Sequence, residues 1–283
     1  MPDNLSKAIL WMILSALSFT MMSVMVRAGG ELPVLEKVFF RNLVTFLITS
    51  MIVLRDAGGD PRRIRPPSKK LIWRSIFGLI GVAGFFIAIG RLTLADATIL
   101  NKMSPFFVLL FASLFLHEQL TRTRILTMIG AFIGAMLIVK PQFNLSVLPA
   151  LCGLGSGICA GAAYTLIRSM KRAETPHRIV FFFSLISTLA LTPVMLFQFT
   201  MPTSSEWLAL MGIGLFAAAG QYCLTFAYHQ APAARISIIN YSGVVFSLLA
   251  GVIIFDEAPD IVSLLGAILI IAMALINHLR RSS

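Results

Sequence analysis

Apolar runs of about 20 residues, following one another with short breaks, limit what this chain can fold into more than any other feature. A helix needs about 20 apolar residues to cross a bilayer. Runs of that kind, bounded by charges and by Pro or Gly, fall at 7–28, 34–54, 71–90, 93–116, 121–139, 147–170, 178–198, 206–229, 232–255 and 260–279. The connections are a few residues long, so neighbouring helices must run antiparallel. The exception is 55–70, where Arg55, Arg62, Arg63, Arg65, Lys69, Lys70 and the pair Pro66–Pro67 form a solvated basic loop. Only 12% of the 283 residues are charged and 58% are apolar. A soluble domain carries about 25% charged residues, so a water-soluble fold could not cover its surface here. The expected class is an all-α, multi-pass integral membrane protein of ten helices, with the lipid bilayer as its surroundings. The first run follows Lys7 and meets no small-x-small cleavage pattern before Arg27, so it reads as a membrane helix rather than a signal peptide.

The formal net charge of +11 does not point to nucleic acid, which would need basic residues along one continuous face. The basic residues sit instead in the short connections. With the N-terminus inside, the cytoplasmic segments hold 17 of the 23 Lys and Arg: Lys7, Arg55, Arg62, Arg63, Arg65, Lys69, Lys70, Arg74, Arg122, Arg124, Arg168, Lys171, Arg172, Arg178, Arg235, Arg280 and Arg281. Such a bias sets orientation, and it predicts both termini on the cytoplasmic side of an inner membrane. Cys152, Cys159 and Cys223 lie inside apolar runs without metal-ligand spacing and read as small buried hydrophobes. No metal and no cofactor is expected.

The chain also matches itself. A shift of 139 residues lays 81–118 on 220–257 with nine identities in 38 positions, among them Gly81/Gly220, Asn101/Asn240 and Glu118/Glu257. Apolar composition alone gives several of the nine, so the Asn and Glu pairs are the informative ones. A repeat of five helices is odd in number, so its second copy must enter the membrane in the opposite sense. The charges agree. Arg122 and Arg124 follow the fourth run, whereas Asp256, Glu257 and Asp260 follow the ninth. The expected units are 1–140 and 147–279, two inverted five-helix repeats, an architecture that places a substrate site near the midplane where the halves meet.

The stretch AIGRLTLADATILNKMSPFFVLLFASLFLHE (88–118) and its echo AYHQAPAARISIINYSGVVFSLLAGVIIFDE (227–257) carry an Ala-rich helix start and a closing Glu, with a mid-helix Pro in the first. They resemble the repeat signature of the drug/metabolite transporter superfamily, EamA branch, and PVLEKVFFRN (33–42) is similar to that family's opening of the second helix. The resemblance covers essentially the whole chain. Pro105 has Val244 as its mate, and His117 and Asp256 stand where a Gly often precedes the Glu. The resemblance implies a secondary transporter that moves small metabolites by alternating access.

An ionisable side chain within a bilayer costs roughly 2.5–3.5 kcal/mol on insertion scales, so it marks a protein-lined cavity or a partner. Two basic residues qualify. Arg41, on the helix-two arginine that recurs in the family, and Lys102 both lie roughly 9–12 Å below the outer surface at 1.5 Å per residue. Arg41 has Glu36 as a nearby acid, whereas Lys102 has none at i±3 or i±4 and sits beside Pro105, where a helix can bend. Lys102 aligns with Tyr241, and Asn101 with Asn240, giving a polar layer in which the asparagines read as interhelical hydrogen-bond glue. Ser104, Tyr164 and Tyr222 complete the expected substrate-binding set of Lys102, Arg41, Asn101, Asn240, Tyr241, Tyr164, Ser104 and Tyr222. Tyr164 lies beside a small-residue stripe (Gly153, Gly157, Gly161) that reads as close packing. Glu118 and Glu257 close helices at a surface and read as structural or gating groups.

Other classes fit less well. His117–Glu118 lacks the second His of a zinc helix, since Thr121 follows, and no ring of charge marks a channel. An intramembrane enzyme is not expected. Embedded charge that is basic only favours a ligand with a carboxylate or phosphate. The expected substrate is an anionic or zwitterionic metabolite such as an amino acid or derivative, and the alternative is export of cationic or aromatic drugs or metabolites. No ATP-binding motif is present, and homodimerisation is left open.

Overall fold

The computed structural model describes residues 4–30, 32–60, 64–89, 91, 100–139, 147–255 and 260–279. All regular elements among them are helical. They are α1 (Leu5–Ala28), α2 (Val34–Asp56), α3 (Lys69–Ile89), α4 (Ser104–Leu116), α5 (Arg122–Val139), α6 (Val147–Ser169), α7 (Pro176–Gln198), α8 (Ser204–Gln230), α9 (Ala233–Ile236), α10 (Ser242–Phe255) and α11 (Ile261–Leu279). A 3-10 turn at Ser237–Tyr241 joins α9 to α10.

Several starts are written locally. Thr203 accepts from the backbone N–H of Glu206, whose carboxylate accepts from the N–H of Thr203, a reciprocal capping box that opens α8. Thr175 caps α7, and Pro176 follows in the first turn, where its missing N–H costs nothing. α4 ends at His117, a left-handed residue with φ 53°.

Among the described residues, seven stretches are long and apolar enough to cross a bilayer: Leu5–Val26, Val34–Asp56, Lys69–Ala88, Val147–Ser169, Pro176–Gln198, Ser204–Gln230 and Ala233–Ile254. Ser104–Leu116 and Ile261–Asn277 are shorter apolar helices. Polarity is turned outside in. Phe197, Leu196, Leu208 and Ile253 are among the most exposed side chains, while Arg41, Asn42, Thr45, Arg74, Ser184 and Gln221 are buried. Such a surface suits lipid, and the interior holds the polar groups that lipid would not solvate.

α1 lies along α8 and α3 along α6; α2 packs on both α7 and α8, and α3 on α7. α4 packs on α6, α10 on α1, and α5 on α11. The glycine stripe of α6 is a packing surface. A Cβ at Gly157 would lie 2.9 Å from the Leu100 carbonyl oxygen, and one at Gly161 would lie 2.5 Å from the Phe107 Cβ.

Two local expectations are corrected. The run 232–255 is not one even helix, because Ser237–Tyr241 tightens into a 3-10 turn. Pro105 stands in the first turn of α4 rather than in mid-helix, directly after the turn at Lys102 and Met103. The first part of the fourth run (residues 92–99) and the acidic corner at Asp256 and Glu257 lie outside the described residues.

Candidate functional site

α2 turns Arg41, Asn42 and Thr45 inward, all three buried. Asn42 donates back to the Val38 carbonyl at 2.9 Å and accepts from the Arg41 Nη1 at 3.1 Å. Thr45 donates to the Arg41 carbonyl. From α3 comes Arg74, 1% exposed, whose Nη2 donates to the Gln221 side chain of α8 at 3.0 Å. α7 supplies Phe183, and its ring is shared. The Arg74 guanidinium carbon sits 3.9 Å from the ring centroid and that of Arg41 sits 6.0 Å from it. Both cations are thus set against one aromatic quadrupole, a contact worth about 2 kcal/mol or more when desolvated.

Gly78, one turn after Arg74, makes room for this arrangement. A Cβ there would lie 2.7 Å from the Phe183 ring and 2.9 Å from the Arg74 Nη1. Tyr164 of α6 stacks on Tyr228 of α8 at 5.3 Å. Among the described residues, neither guanidinium meets a carboxylate. The Nε and Nη1 of Arg74 are buried without a hydrogen-bond partner, as are the hydroxyls of Ser187, Thr188 and Tyr228. Buried donors are nearly always paired, which singles out the two open donors of Arg74 within this cluster.

The second polar group is the break in each half. Lys102 Nζ donates to the Asn240 carbonyl at 3.3 Å, and the Tyr241 hydroxyl donates to the Lys102 carbonyl at 2.8 Å. The two strands of this exchange are the turn before α4 and the 3-10 turn before α10. Asn101 Nδ2 donates to Ser156 Oγ at 3.0 Å, which in turn donates to the Gly153 carbonyl. Ser104 is buried where α4 begins, its N–H facing Gly157. Irregular backbone at membrane depth is tolerated where protein surrounds it, and these side chains hold it. Replacing Tyr241 by Phe should cost about 1 kcal/mol, since it removes one neutral hydrogen bond and keeps the ring. Reversible unfolding in mixed micelles reads that difference.

The remaining expected residues fall elsewhere. The ring of Tyr222 lies against His177 at 5.4 Å and Phe226 at 6.4 Å. Glu36 does not pair with Arg41; its Oε2 accepts from the Thr200 N–H at 3.1 Å. Charge counting places Arg74 with the cytoplasmic basic residues, whereas the structure buries its guanidinium over Phe183. The signal for it was weak but present, because Arg74 stands inside the apolar run 71–90 rather than before it.

At one end of the bundle Glu118 binds the start of α9. Its two carboxylate oxygens accept from the N–H groups of Ala233 and Ala234 at 3.0 and 2.9 Å. Arg168 of α6 lies 3.5 Å from the same carboxylate and donates to the His229 carbonyl at 3.2 Å. One acid thereby ties the ends of α4, α6 and α8 to α9. Among the described residues, no group of three or more His, Cys, Asp and Glu could hold a metal ion, and the three cysteines are free.

Comparison with known proteins places this geometry. The chain is 34% identical over 272 residues, 95% of each chain, to the pseudopaline exporter CntI of Pseudomonas aeruginosa. It is 28% identical over 291 residues, 99% of this chain and 94% of the relative, to a riboflavin transporter of Rhizobium johnstonii. A solved crystal structure shares the fold, with a TM-score of 0.86 over 99% of this chain and 100% of its own at 19% identity. The model of the EamA-like transporter family matches residues 6–140 and again 147–278. The chain belongs to the EamA-like transporter family.

Proposed function

We propose that this membrane transporter is a secondary carrier that moves a small anionic or zwitterionic metabolite, an amino acid or derivative, by alternating access. One observation carries the substrate class: Arg41 and Arg74 are buried against Phe183 with no carboxylate among the described residues, and two donors of Arg74 are open. A carboxylate or phosphate satisfies such donors better than any neutral group. Relatives named as a pseudopaline exporter and a riboflavin transporter support carriage of a metabolite.

In this reading ten membrane helices form two inverted repeats, 1–140 and 147–279, with both termini cytoplasmic in an inner membrane. The packing supports it. Exchanging the first five spans for the last five turns the α1–α8 contact into the α6–α3 contact, and the α4–α6 contact into that of α10 with α1. Lys102, donating to the Asn240 carbonyl, and Tyr241, donating to the Lys102 carbonyl, hold the paired breaks on which the two states turn.

The test is flux in proteoliposomes loaded with amino acids, organic acids, sugars or organic cations. Acids or zwitterions should exchange, and Arg41→Gln should lower their flux about 10- to 100-fold, the worth of a hydrogen bond to a charged group. Lys102→Gln should slow flux with less effect on binding. Movement of cations alone, or full flux in Arg41→Gln, would overturn the reading.

A further inference from the structure

We infer that the Arg41–Phe183–Arg74 cluster binds a ligand bearing two separate acidic groups, one for each guanidinium, and that Arg74 is a substrate-binding residue. The inference rests on the anionic reading above and narrows it. Three observations point the same way.

The first is charge. Arg41 is 4% exposed and Arg74 is 1% exposed, and among the described residues neither meets a carboxylate. Buried charges are kept when paired. A ligand with one negative charge leaves a second cation uncompensated. An amino-acid zwitterion does worse, because its ammonium meets a cluster that is already cationic. Two acidic groups balance the pair.

The second is the state of the donors. Arg74 spends Nη2 on Gln221, and its Nε and Nη1 are buried and open. Those two N–H groups point to different sides of the guanidinium, one on each side of Nη2, so an acidic oxygen can meet either of them. Arg41 spends Nη1 on Asn42. The two arginines are therefore held by different neighbours and approach from different helices, so one acidic group does not serve both.

The third is what lies between them. Both cations address the Phe183 ring, so a molecule that spans them runs past an aromatic face and takes a short carbon chain in its middle. Gly78 keeps that face and the Arg74 Nη1 in place, since any side chain there meets both.

The experiment is equilibrium binding to the purified full chain in detergent. The probes are succinate, glutarate, adipate, butyrate and propyl phosphate, with tetraethylammonium as the cation. At least one dicarboxylate should bind tenfold or more tighter than butyrate or propyl phosphate. Arg74→Gln and Arg41→Gln should each bring that dicarboxylate down to the level of butyrate, while Arg74→Lys recovers part of the difference. Gly78→Ala should weaken the dicarboxylate although no charge is lost, and it serves where a Gln variant fails to fold. Butyrate equal to the best dicarboxylate, propyl phosphate equal to it, or unchanged binding in Arg74→Gln would each overturn the two-group ligand and leave the anionic carrier standing. Binding of tetraethylammonium without any acid would overturn both.

Discussion

Cutting Glu118 back to alanine will lower the stability of the fold by about 3–5 kcal/mol, the range seen when one partner of a buried ion pair is removed. Three contacts end together. The N–H groups of Ala233 and Ala234 lose their acceptor, and Arg168 loses one carboxylate contact. Each hydrogen bond to a charged group is worth about 1.5–3 kcal/mol, and the α9 start has no other side-chain cap. Glu118→Gln keeps one acceptor oxygen and should cost less than half as much. Reversible unfolding in mixed micelles, run on both variants and on Arg168→Ala, gives the order. A double-mutant cycle on Glu118 and Arg168 should return a coupling of about 0.5–3 kcal/mol. If Glu118→Ala falls within about 0.5 kcal/mol of the parent, the carboxylate does not hold α9 and the tie is incidental to the fold.

The helices were legible because a bilayer demands one length, and the chain supplies runs of that length in succession. Arg41 and Lys102 were legible for a related reason, as charges in the middle of apolar runs. Arg74 was hidden by its neighbours. It follows Lys69 and Lys70 within a turn and a half, so by charge counting it belongs to the loop, and only packing shows that its guanidinium turns inward to Phe183 and Gln221. The break at Ser237–Tyr241 was equally quiet, since no Pro or Gly lies within it. Asn240 and Tyr241 marked the place, yet their partners, the Lys102 ammonium and carbonyl, lie 138 and 139 residues away. Local signals write helices; the site is made where distant helices meet.

That dependence on close helix contact sets the second large effect. α5 and α11 cross at Gly134 and Gly266. A Cβ on Gly134 would lie 2.8 Å from the Gly266 carbonyl oxygen and 3.2 Å from the Ile270 nitrogen, and one on Gly266 would lie 2.6 Å from the Gly134 oxygen. The obstacles include backbone, so no rotamer relieves them and the helices must part. Alanine gains about 0.5–1 kcal/mol over glycine in a helix interior, but overpacking a fitted contact costs about 1–3 kcal/mol. In lipid the loss weighs more heavily, because packing rather than burial from water holds helices together. Gly134→Ala and Gly266→Ala should therefore destabilise, and the pair together should cost less than their sum, since the first substitution has already opened the crossing. Gly130 is the control. Its Cβ would meet only the Met273 side chain, Sδ at 2.6 Å and Cγ at 2.8 Å, and a flexible thioether can swing aside. Gly130→Ala should be near neutral or stabilising. Equal losses at Gly130 and Gly134 would mean that helix–helix distance is not the quantity these glycines control.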